Sequence, residues 1–365
     1  AGSGGTDAYT NAISDTYQDN FDEGIFTGKG IYDLKVFSQV LNNEIPENTV
    51  LSHDLLEGNY LRCGLVSDIS LMDGYPVGYN SFKSRQHRWI RGDWQIILWL
   101  KKHIKNRKGE IKENPLNTIS KFKIWDNLLR SSLEPVVILL LVILSIIDII
   151  YNINIWPIVL LLLIAVIMPT IIDLVNKIIF KREEVKKQKT FTKTISGIKA
   201  STIRGILSIA SLPDKAYMSI NAIIKTLYRI LVSKKHFLEW VTAEEAEKNA
   251  KKDLKSYYTN MLPNVIFGIL GIVFSIIVKG TFAKIISIIF AFLWLIAPII
   301  LSKISKEIKV KPVVEELSKE DKDYLYQIGK KTWQFFKDNL NSKCNYLPPD
   351  NYQEDRKPKI VYRTS

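Results

Sequence analysis

PVVILLLVILSIIDIIY, from Pro135 to Tyr151, is an apolar stretch in which Asp148 is the only charged residue. After the short link Asn152–Asn154, a second apolar stretch, WPIVLLLLIAVIMPTIIDLVNKIIF, runs from Trp156 to Phe180. Each stretch comes near the roughly 20 residues that a helix needs to cross about 30 Å of hydrocarbon. Because the link leaves room only for a turn, residues 135–180 are predicted to form a transmembrane helical hairpin.

A second pair of apolar stretches repeats this pattern further along the chain. LPNVIFGILGIVFSIIV (Leu262–Val278) and TFAKIISIIFAFLWLIAPIILSKI (Thr281–Ile304) are separated by Lys279-Gly280. One such stretch alone could be a buried core helix, but two closely spaced pairs favour membrane spans. The sequence therefore predicts four transmembrane helices in two hairpins, residues 135–180 and 262–304.

The distribution of charge indicates the orientation of these hairpins. The chain has 50 Lys and Arg against 37 Asp and Glu, a formal net charge of +13, and the basic excess lies mostly beside the apolar stretches. Such flanks favour anionic lipid headgroups over nucleic acid as the partner. Because basic flanks stay in the cytoplasm, both termini and the middle segment are predicted to be cytoplasmic, with the two tight turns outside.

The middle segment, residues 181–261, is predicted to be a basic cytoplasmic segment with one amphipathic helix. Apolar residues recur on one face from Ile220 to Leu231, whereas Lys225, Thr226 and Arg229 fall on the other. A basic helix of this kind can lie in the membrane interface. It can equally pack on a cytoplasmic domain, although the neighbouring spans favour the interface.

The polar N-terminal part, residues 1–134, contains a glycine-rich stretch, DEGIFTGKG, that ends at Gly30. A phosphate loop of the Walker type needs four residues between its glycines and a Ser or Thr after its Lys. Here only three residues lie between Gly24 and Gly28, and Gly30 follows Lys29. These departures exclude a P-loop nucleotide triphosphatase and leave a tight loop whose backbone can approach a ligand.

Carboxylates follow in LSHDLLEG (Leu51–Gly58). Ser52 is a good candidate for the N-cap of a helix. Asp54 and Glu57 would then share one face of its first turn. A carboxylate in this place can act as a general base, or it can serve only as a partner of the helix dipole.

A basic aromatic stretch, RQHRWIRGDW, begins at Arg85. Arg85, Arg88 and Arg91 recur every three residues, so they crowd one face of a helix. Guanidinium groups form forked contacts with phosphates, and the flat indole of Trp89 suits a sugar ring. The stretch therefore indicates a site for a diphosphate and a sugar, or else a basic helix that docks on lipid phosphates.

These motifs, in this order and ahead of membrane spans, resemble the processive membrane glycosyltransferases. That family has a D, D-x-D, T/E-D, Q/R-x-x-R-W signature; Ser52-His-Asp54 matches the third element and Arg85-Gln-His-Arg-Trp89 the fourth. Longer segments within residues 6–260 resemble one branch of the family, the cyclic β-1,2-glucan synthases. These segments are Glu23–Asp33, Asn48–Gly58, Arg85–Gln95, Asn114–Ser132 and Leu231–Glu247.

The resemblance implies a fold that is α/β plus membrane α-helical. Residues 1–134 would be the C-terminal half of a GT-A-like glycosyltransferase domain, and residues 305–365 a linker helix and the start of a glycoamylase-like cyclisation module. Since no D-x-D element precedes Glu23, the ligands of the family's Mg²⁺ or Mn²⁺ are expected in a missing N-terminal half and none in this chain. The chain thus resembles an internal fragment, expected to be inactive alone.

The resemblance also implies roles for single residues. Asp54 would be the general base that deprotonates the acceptor 2-hydroxyl during inverting transfer, and Arg85 and Arg88 would stabilise diphosphate charge. Trp89 would stack on the acceptor sugar. His53 stands where many relatives have Glu. The full set of substrate-binding residues would be Gly28, Lys29, Arg85, Gln86, Arg88 and Trp89.

The implied partners are UDP-glucose, a β-glucan acceptor, the lipid bilayer and the remaining domains of a full-length synthase, with no nucleic acid. The implied location is the inner membrane of a bacterium, crossed several times. Two alternatives stay open. One is a processive synthase of another polymer, such as cellulose or hyaluronan, and the other is a catalytically inactive membrane fragment that acts only as a scaffold.

Overall fold

The computed structural model of the chain has two units, residues 1–307 and 308–365. The residues that it describes are 12–26, 28, 30–66, 76, 78–179, 187–239, 245, 248, 253–306, 317–349, 351–353 and 359–361.

The first unit is built mainly from helices. In chain order they are α1 (Ala12–Phe21), α2 (Leu34–Leu41), α3 (Asp54–Leu61), α4 (Tyr79–Gln95), α5 (Thr118–Tyr151), α6 (Trp156–Ile179), α7 (Lys187–Ala210), α8 (Leu212–Tyr228), α9 (Leu254–Asn260), α10 (Leu262–Ile277) and α11 (Thr281–Ile304). A 3₁₀ turn, Ile96–Leu100, follows α4, and a π turn, Arg229–Ser233, extends α8.

Two short strands lie between the 3₁₀ turn and α5. β1 (His103–Lys105) pairs antiparallel with β2 (Ile111–Glu113), with Ile104 opposite Lys112. Within the described part of residues 12–134 there is no other strand. The predicted GT-A-like half-domain is therefore not confirmed, and this part of the chain is mostly helical. Its buried apolar core is formed by Leu55, Leu56, Ile96, Trp99, Ile104, Leu116 and Ile124.

The helix α5 begins well before the apolar stretch that predicted it. The Asn117 side chain caps it by accepting a hydrogen bond from the Ser120 amide, and it ends where Asn152 adopts the left-handed conformation. Pro135 lies inside this 34-residue helix. The first turns pack in the core through Ile124, whereas many apolar side chains in the later turns are exposed, as a lipid-facing segment requires.

The long apolar helices agree in part with the predicted spans. Among the described residues, α5 and α11 are long and apolar enough to cross a membrane. The pair α9 and α10, bent by 71° at its break, makes a third candidate if it counts as one span. The apolar part of α6, Trp156–Ile172, is shorter. Four spans are thus not confirmed.

The second predicted hairpin is tightly packed. A Cβ added at Gly268 of α10 would lie 2.6 Å from Cγ of Leu295 in α11, and one added at Gly271 would lie 3.1 Å from Cβ of Ala291. Small residues therefore allow α10 and α11 to approach each other closely, as in many membrane helix pairs.

The helix α8 combines the two interpretations that the sequence left open. Ala222 and Thr226 are buried, and Ala222 packs with Ile90 of α4. The apolar face predicted from the sequence remains largely exposed, at Ile224 and, beyond the helix, at Leu231. The helix thus packs on the protein through Met218 and its small and polar residues, and it presents Ile224 outward.

The second unit contains the predicted linker helix. This helix, α12 (Lys319–Asn339), is capped by Ser318, whose hydroxyl accepts a hydrogen bond from the Asp321 amide. A short 3₁₀ turn and the antiparallel pair β3 (Asn351–Gln353) and β4 (Lys359–Val361) follow. That this unit opens a cyclisation module stays a prediction.

Candidate active site

The basic aromatic stretch folds into α4, as its three-residue spacing predicts. Cζ of Arg85 lies 4.5 Å from the ring centroid of Trp89, one turn further along the helix. A guanidinium so close to an indole face is a cation–π contact. One face of the Trp89 ring is therefore covered by the chain itself, and a sugar would have to use the other. Gln86 is half-buried on the same helix.

The carboxylate stretch folds into α3, but its cap differs from the predicted one. The N-cap is His53, which makes no side-chain cap hydrogen bond, so the prediction of Ser52 as N-cap is wrong. Ser52 instead meets α4. A Cβ added at Gly92 would lie only 2.4 Å from Cβ of Ser52. The chain before Asp54 therefore rests directly on α4 because residue 92 has no side chain.

A hydrogen bond strengthens this contact between α4 and the chain ahead of α3. The Leu51 amide donates to Oε1 of Gln95 at 2.6 Å. Nε2 of Gln95 donates in turn to the Phe237 carbonyl at 2.9 Å. Gln95 thus holds two loops against the end of α4, and one of them leads into Asp54.

The glycine-rich stretch reaches Asp54 through its backbone. Gly28 has a φ of +89°, and a Cβ added there would lie 2.6 Å from Oδ1 of Asp54. The residue must be glycine both for its backbone conformation and for this approach. The predicted tight loop therefore lies against the predicted general base. Lys29 lies outside the described residues.

The charge of Asp54 acts on Arg88. Burial lowers the pKa of the Arg88 guanidinium, the charge of Arg85 lowers it further, and the Asp54 carboxylate raises it. Asp54 is therefore close enough to Arg88 to stabilise its charge. Gly28 therefore lies against Asp54, and the charge of Asp54 acts on Arg88, although the three residues are distant in the sequence.

A histidine and a second carboxylate lie beside Asp54 in the first turn of α3. Nδ1 of His53 lies 2.9 Å from Oε1 of Glu57, with side-chain exposures of 57% and 17%. The hydrogen bond to Glu57 is the main cause that raises the pKa of His53, although partial burial opposes it. The imidazole is thus held by Glu57 next to the candidate base.

A buried ion pair, which no sequence motif marks, fixes the start of the glycine-rich stretch. Nζ of Lys123, in α5, lies 2.7 Å from Oε1 of Glu23 and donates to the Gly24 carbonyl at 3.0 Å. Nε of Arg62 lies 3.3 Å from the other oxygen of Glu23. Since Glu23 and Lys123 are both buried, this pair ties the loop that carries Gly28 to α5.

No cluster of three or more His, Cys, Asp or Glu side chains in the described ranges could hold a metal ion. The donor set that Mg²⁺ or Mn²⁺ prefers, several oxygens around one point, is not assembled there. The metal of the family therefore stays a prediction.

Comparison with known proteins gives one close match. The chain is 34% identical over 366 aligned residues, 99% of its length, to cyclic beta-(1,2)-glucan synthase NdvB of Rhizobium meliloti (strain 1021). The predicted resemblance is confirmed. The chain spans 12% of the length of that relative. No protein-family model matches the chain.

Proposed function

We propose that this chain is the acceptor side of a membrane-bound glycosyltransferase that adds glucose from UDP-glucose to a growing β-1,2-glucan. The observation that carries the proposal is that Gly28 lies against Asp54, whose charge acts on Arg88. The similarity to a glucan synthase along almost the whole chain supports it. On this proposal the chain crosses the inner membrane of a bacterium several times, and both ends of the chain lie on the cytoplasmic side.

Asp54 acts as the general base. Its carboxylate accepts the proton of the acceptor 2-hydroxyl as that oxygen attacks the anomeric carbon of the donor glucose. The bond from this carbon to the UDP oxygen breaks on the opposite side, and its electron pair leaves with UDP. The new glycosidic bond therefore has the inverted configuration. A positioned base typically contributes about 10²–10⁴ in rate.

The guanidinium groups of Arg85 and Arg88 stabilise the negative charge that builds on the diphosphate. Arginine keeps its charge at any physiological pH and forms forked contacts with phosphate oxygens. Mg²⁺ or Mn²⁺, held by residues outside this chain, would add positive charge at the same diphosphate. Trp89 and Gln86, both half-buried, lie on the same helix, where they can contact the sugars.

The scaffold alternative is disfavoured by the geometry of the site. It predicts that Asp54, Arg88 and Trp89 are scattered, whereas Arg88 and Trp89 are neighbours on α4 and the charge of Asp54 acts to raise the pKa of Arg88. A synthase of another polymer, such as cellulose or hyaluronan, would use the same base and arginines. The linkage of the product distinguishes that alternative.

The test is glucan synthesis by the complete synthase that carries this sequence, purified in detergent. Radiolabelled UDP-glucose should give a polymer whose linkage analysis shows β-1,2 bonds. Asp54→Asn should reduce synthesis by about 10²-fold or more, because an amide cannot accept the proton. UDP affinity, measured by calorimetry, should stay unchanged.

Asp33→Asn is the matched control. Asp33 caps α2 through hydrogen bonds from the Lys35 and Val36 amides, and Asn caps a helix equally well. It should therefore retain full activity. If Asp54→Asn keeps more than about a tenth of the wild-type rate, far above what loss of a base allows, Asp54 is not the base.

A further inference from the structure

The helix α4, which carries the candidate site arginines, is fastened at its N-terminal end to one buried carboxylate. The Tyr79 hydroxyl donates to Oδ2 of Asp214 at 2.9 Å, and Nζ of Lys83 donates to Oδ1 at 2.5 Å. Asp214 is in the first turn of α8 and is 0% exposed. Two side chains one turn apart on α4 thus donate hydrogen bonds to the same carboxylate on α8.

The charge state of this cluster follows from its donors. Burial raises the pKa of Asp214, but the charge of Lys83 and the hydrogen bonds from Lys83 and Tyr79 lower it. Two donors that converge on both oxygens indicate a carboxylate. Burial and the nearby Asp214 raise the pKa of Tyr79 far above its usual value, so its hydroxyl remains a donor.

Asp214 is in turn bound to the second hairpin. Its amide donates to Oδ1 of Asn264, in the first turn of α10, at 2.9 Å. Asn264, which is fully buried, donates through Nδ2 to the Ala210 carbonyl at 2.6 Å and to the Trp294 carbonyl of α11 at 3.4 Å. The carboxylate that holds α4 is therefore part of a junction with both helices of the hairpin.

Two further bonds join α4 to the same hairpin region. Lys83 also donates to the Asn260 carbonyl, at the end of α9, at 2.7 Å. The Tyr79 amide donates to Oγ of Ser305, just beyond α11, at 3.0 Å. All these contacts lie within the first two turns of α4. Its N-terminal end is therefore bonded to three other helices of the unit, α8, α9 and the end of α11.

The opposite end of α4 meets the catalytic carboxylate's own segment. Gly92 lies against Ser52, two residues before Asp54. Arg88 lies between the two contacts, about 7.5 Å along the axis from Lys83. Because a helix moves as a stiff rod, a shift at the Asp214 end changes where Arg88 stands relative to Asp54.

We infer that Asp214 is a positioning residue for the candidate site: it fixes α4 to the hairpin α10–α11, so that the place of Arg88 depends on that hairpin. The inference rests on the proposed function, since it concerns how the diphosphate-binding arginines are held. A buried charge pair is a poor way to gain stability alone, because desolvation offsets its attraction. Such a pair is instead suited to hold two helices in one relative position, here α4 and α8.

The test is a double-mutant cycle in the complete synthase, with UDP affinity and glucan synthesis as the two measurements. Asp214→Asn should weaken UDP binding and slow synthesis by a factor between about two and a hundred, the range typical of coupled neighbours. In the Arg88→Ala background the same change should cause a smaller further loss of UDP affinity, because only Arg85 remains to be displaced. A purely structural role would instead give additive losses.

Asp253→Asn is the matched control, because Asp253 caps α9 by accepting from the Ser256 amide and Asn preserves that cap. It should behave as the wild type. Tyr79→Phe is the second variant, since it removes one hydroxyl and keeps the Lys83–Asp214 pair. It should give a smaller loss of UDP affinity than Asp214→Asn, and this loss should again be reduced in the Arg88→Ala background. If Asp214→Asn does not fold, this variant decides.

Wild-type UDP affinity in the folded Asp214→Asn or Tyr79→Phe protein would overturn the inference, as would losses that add fully to that of Arg88→Ala. These outcomes leave glucan synthesis by the wild type intact. A wild-type protein that neither binds UDP nor makes glucan would overturn the proposed function, and this inference with it.

Discussion

Two glycines allow segments of the candidate site to pack closely around Asp54. Gly28 lets the loop backbone touch Asp54, and Gly92 lets α4 touch Ser52. The carboxylate and the arginines are widely separated in the sequence. Without these two contacts, neither the loop nor α4 could come as close to the residues around Asp54.

Replacing Gly92 should disturb the site by overpacking. In Gly92→Ala the new Cβ would meet Cβ of Ser52 at 2.4 Å, so α4 or the Ser52 segment must move. We expect a loss of about 1–3 kcal/mol in stability and a loss of UDP affinity. Thermal unfolding by circular dichroism and calorimetry measure the two effects.

Gly329→Ala is the control for this change. A Cβ at Gly329, in α12, meets nothing within 4 Å. Alanine should therefore stabilise that helix, by up to about 1 kcal/mol, through its better helix propensity. A Gly92→Ala protein that is as stable as Gly329→Ala would contradict the packing of α4 on Ser52.

The His53–Glu57 pair should make stability depend on pH. The pKa of His53 is raised in the folded protein, so folding favours the protonated imidazole. The pair therefore stabilises the protein below the unfolded pKa of about 6.5, and this gain is lost as pH rises through the folded pKa. Wild type should exceed His53→Gln in melting temperature near pH 5.5 and lose that advantage near pH 8.5.

The size of this effect should be modest, because the His53 side chain is largely exposed; comparable pairs on a helix contribute roughly 0.3–0.5 kcal/mol. Glu57→Gln should remove the same dependence on pH. A constant difference between wild type and His53→Gln at both pH values would show that the pair does not titrate in this range.

Short motifs mark some residues of the candidate site, and the residues that no motif marks have one feature in common. Asp54, Arg85, Arg88 and Trp89 were predicted from such motifs; their roles stay predictions, and in the structure the charges of Asp54 and Arg85 act on Arg88. Lys123 and Asp214 act through partners about a hundred residues away. No local pattern marks such contacts, although a glycine inside a helix, such as Gly92, signals close packing.

At the scale of elements, α5 links the site to the membrane. Its first turns pack in the core and hold Glu23 through Lys123, and its later turns are apolar and exposed. The apolar stretch Pro135–Tyr151 predicted the later turns of α5 but not its start at Thr118. The helix extends backwards because Asn117 supplies a cap and Ile124 and Leu128 supply a buried face.

Breaking the ion pair on α5 should loosen the glycine-rich loop. Lys123→Met leaves Glu23 buried without its main partner, and such a loss typically costs about 3–5 kcal/mol. We expect a lower melting temperature and faster proteolysis around residues 23–30. Lys121→Met, two residues earlier and half-buried, is the control and should change little.

A double variant separates the charge from the packing. Glu23→Leu with Lys123→Met replaces both charges by apolar groups, which is often neutral for stability. It should recover most of the melting temperature that Lys123→Met loses. If the single variant is as stable as the wild type, the pair does not hold the loop.

At the scale of the whole molecule, membrane topology is the main open prediction. The basic flanks predict that the turn at Asn152 lies outside and Lys101 inside. After Cys63 and Cys344 are replaced by Ala, an impermeant thiol reagent should label Asn152→Cys in intact cells. Lys101→Cys should react only after the membrane is opened, and labelling of that residue from outside would reverse the orientation.

The number and the ends of the spans were predicted less well than their existence. Composition identifies apolar stretches, but it does not show that α9 and α10 form a bent pair or that α5 absorbs an apolar stretch into a much longer helix. Those features depend on packing between helices. The apolar stretches alone therefore predict a membrane protein, but they do not determine the number of its spans.

Because α5 is one continuous helix, the number of residues between its core part and its apolar part determines their separation and relative rotation. From Lys123, which holds the loop, to Pro135, where the apolar stretch begins, the axis rises by about 18 Å. One inserted residue would lift the site by about 1.5 Å and swing it by about 100° around the helix. A substitution in this stretch changes only the side chains on the helix surface. An insertion changes the distance of the site from the bilayer and its orientation around the helix axis. The number of residues in this part of α5 therefore sets the distance between the site and the apolar stretch.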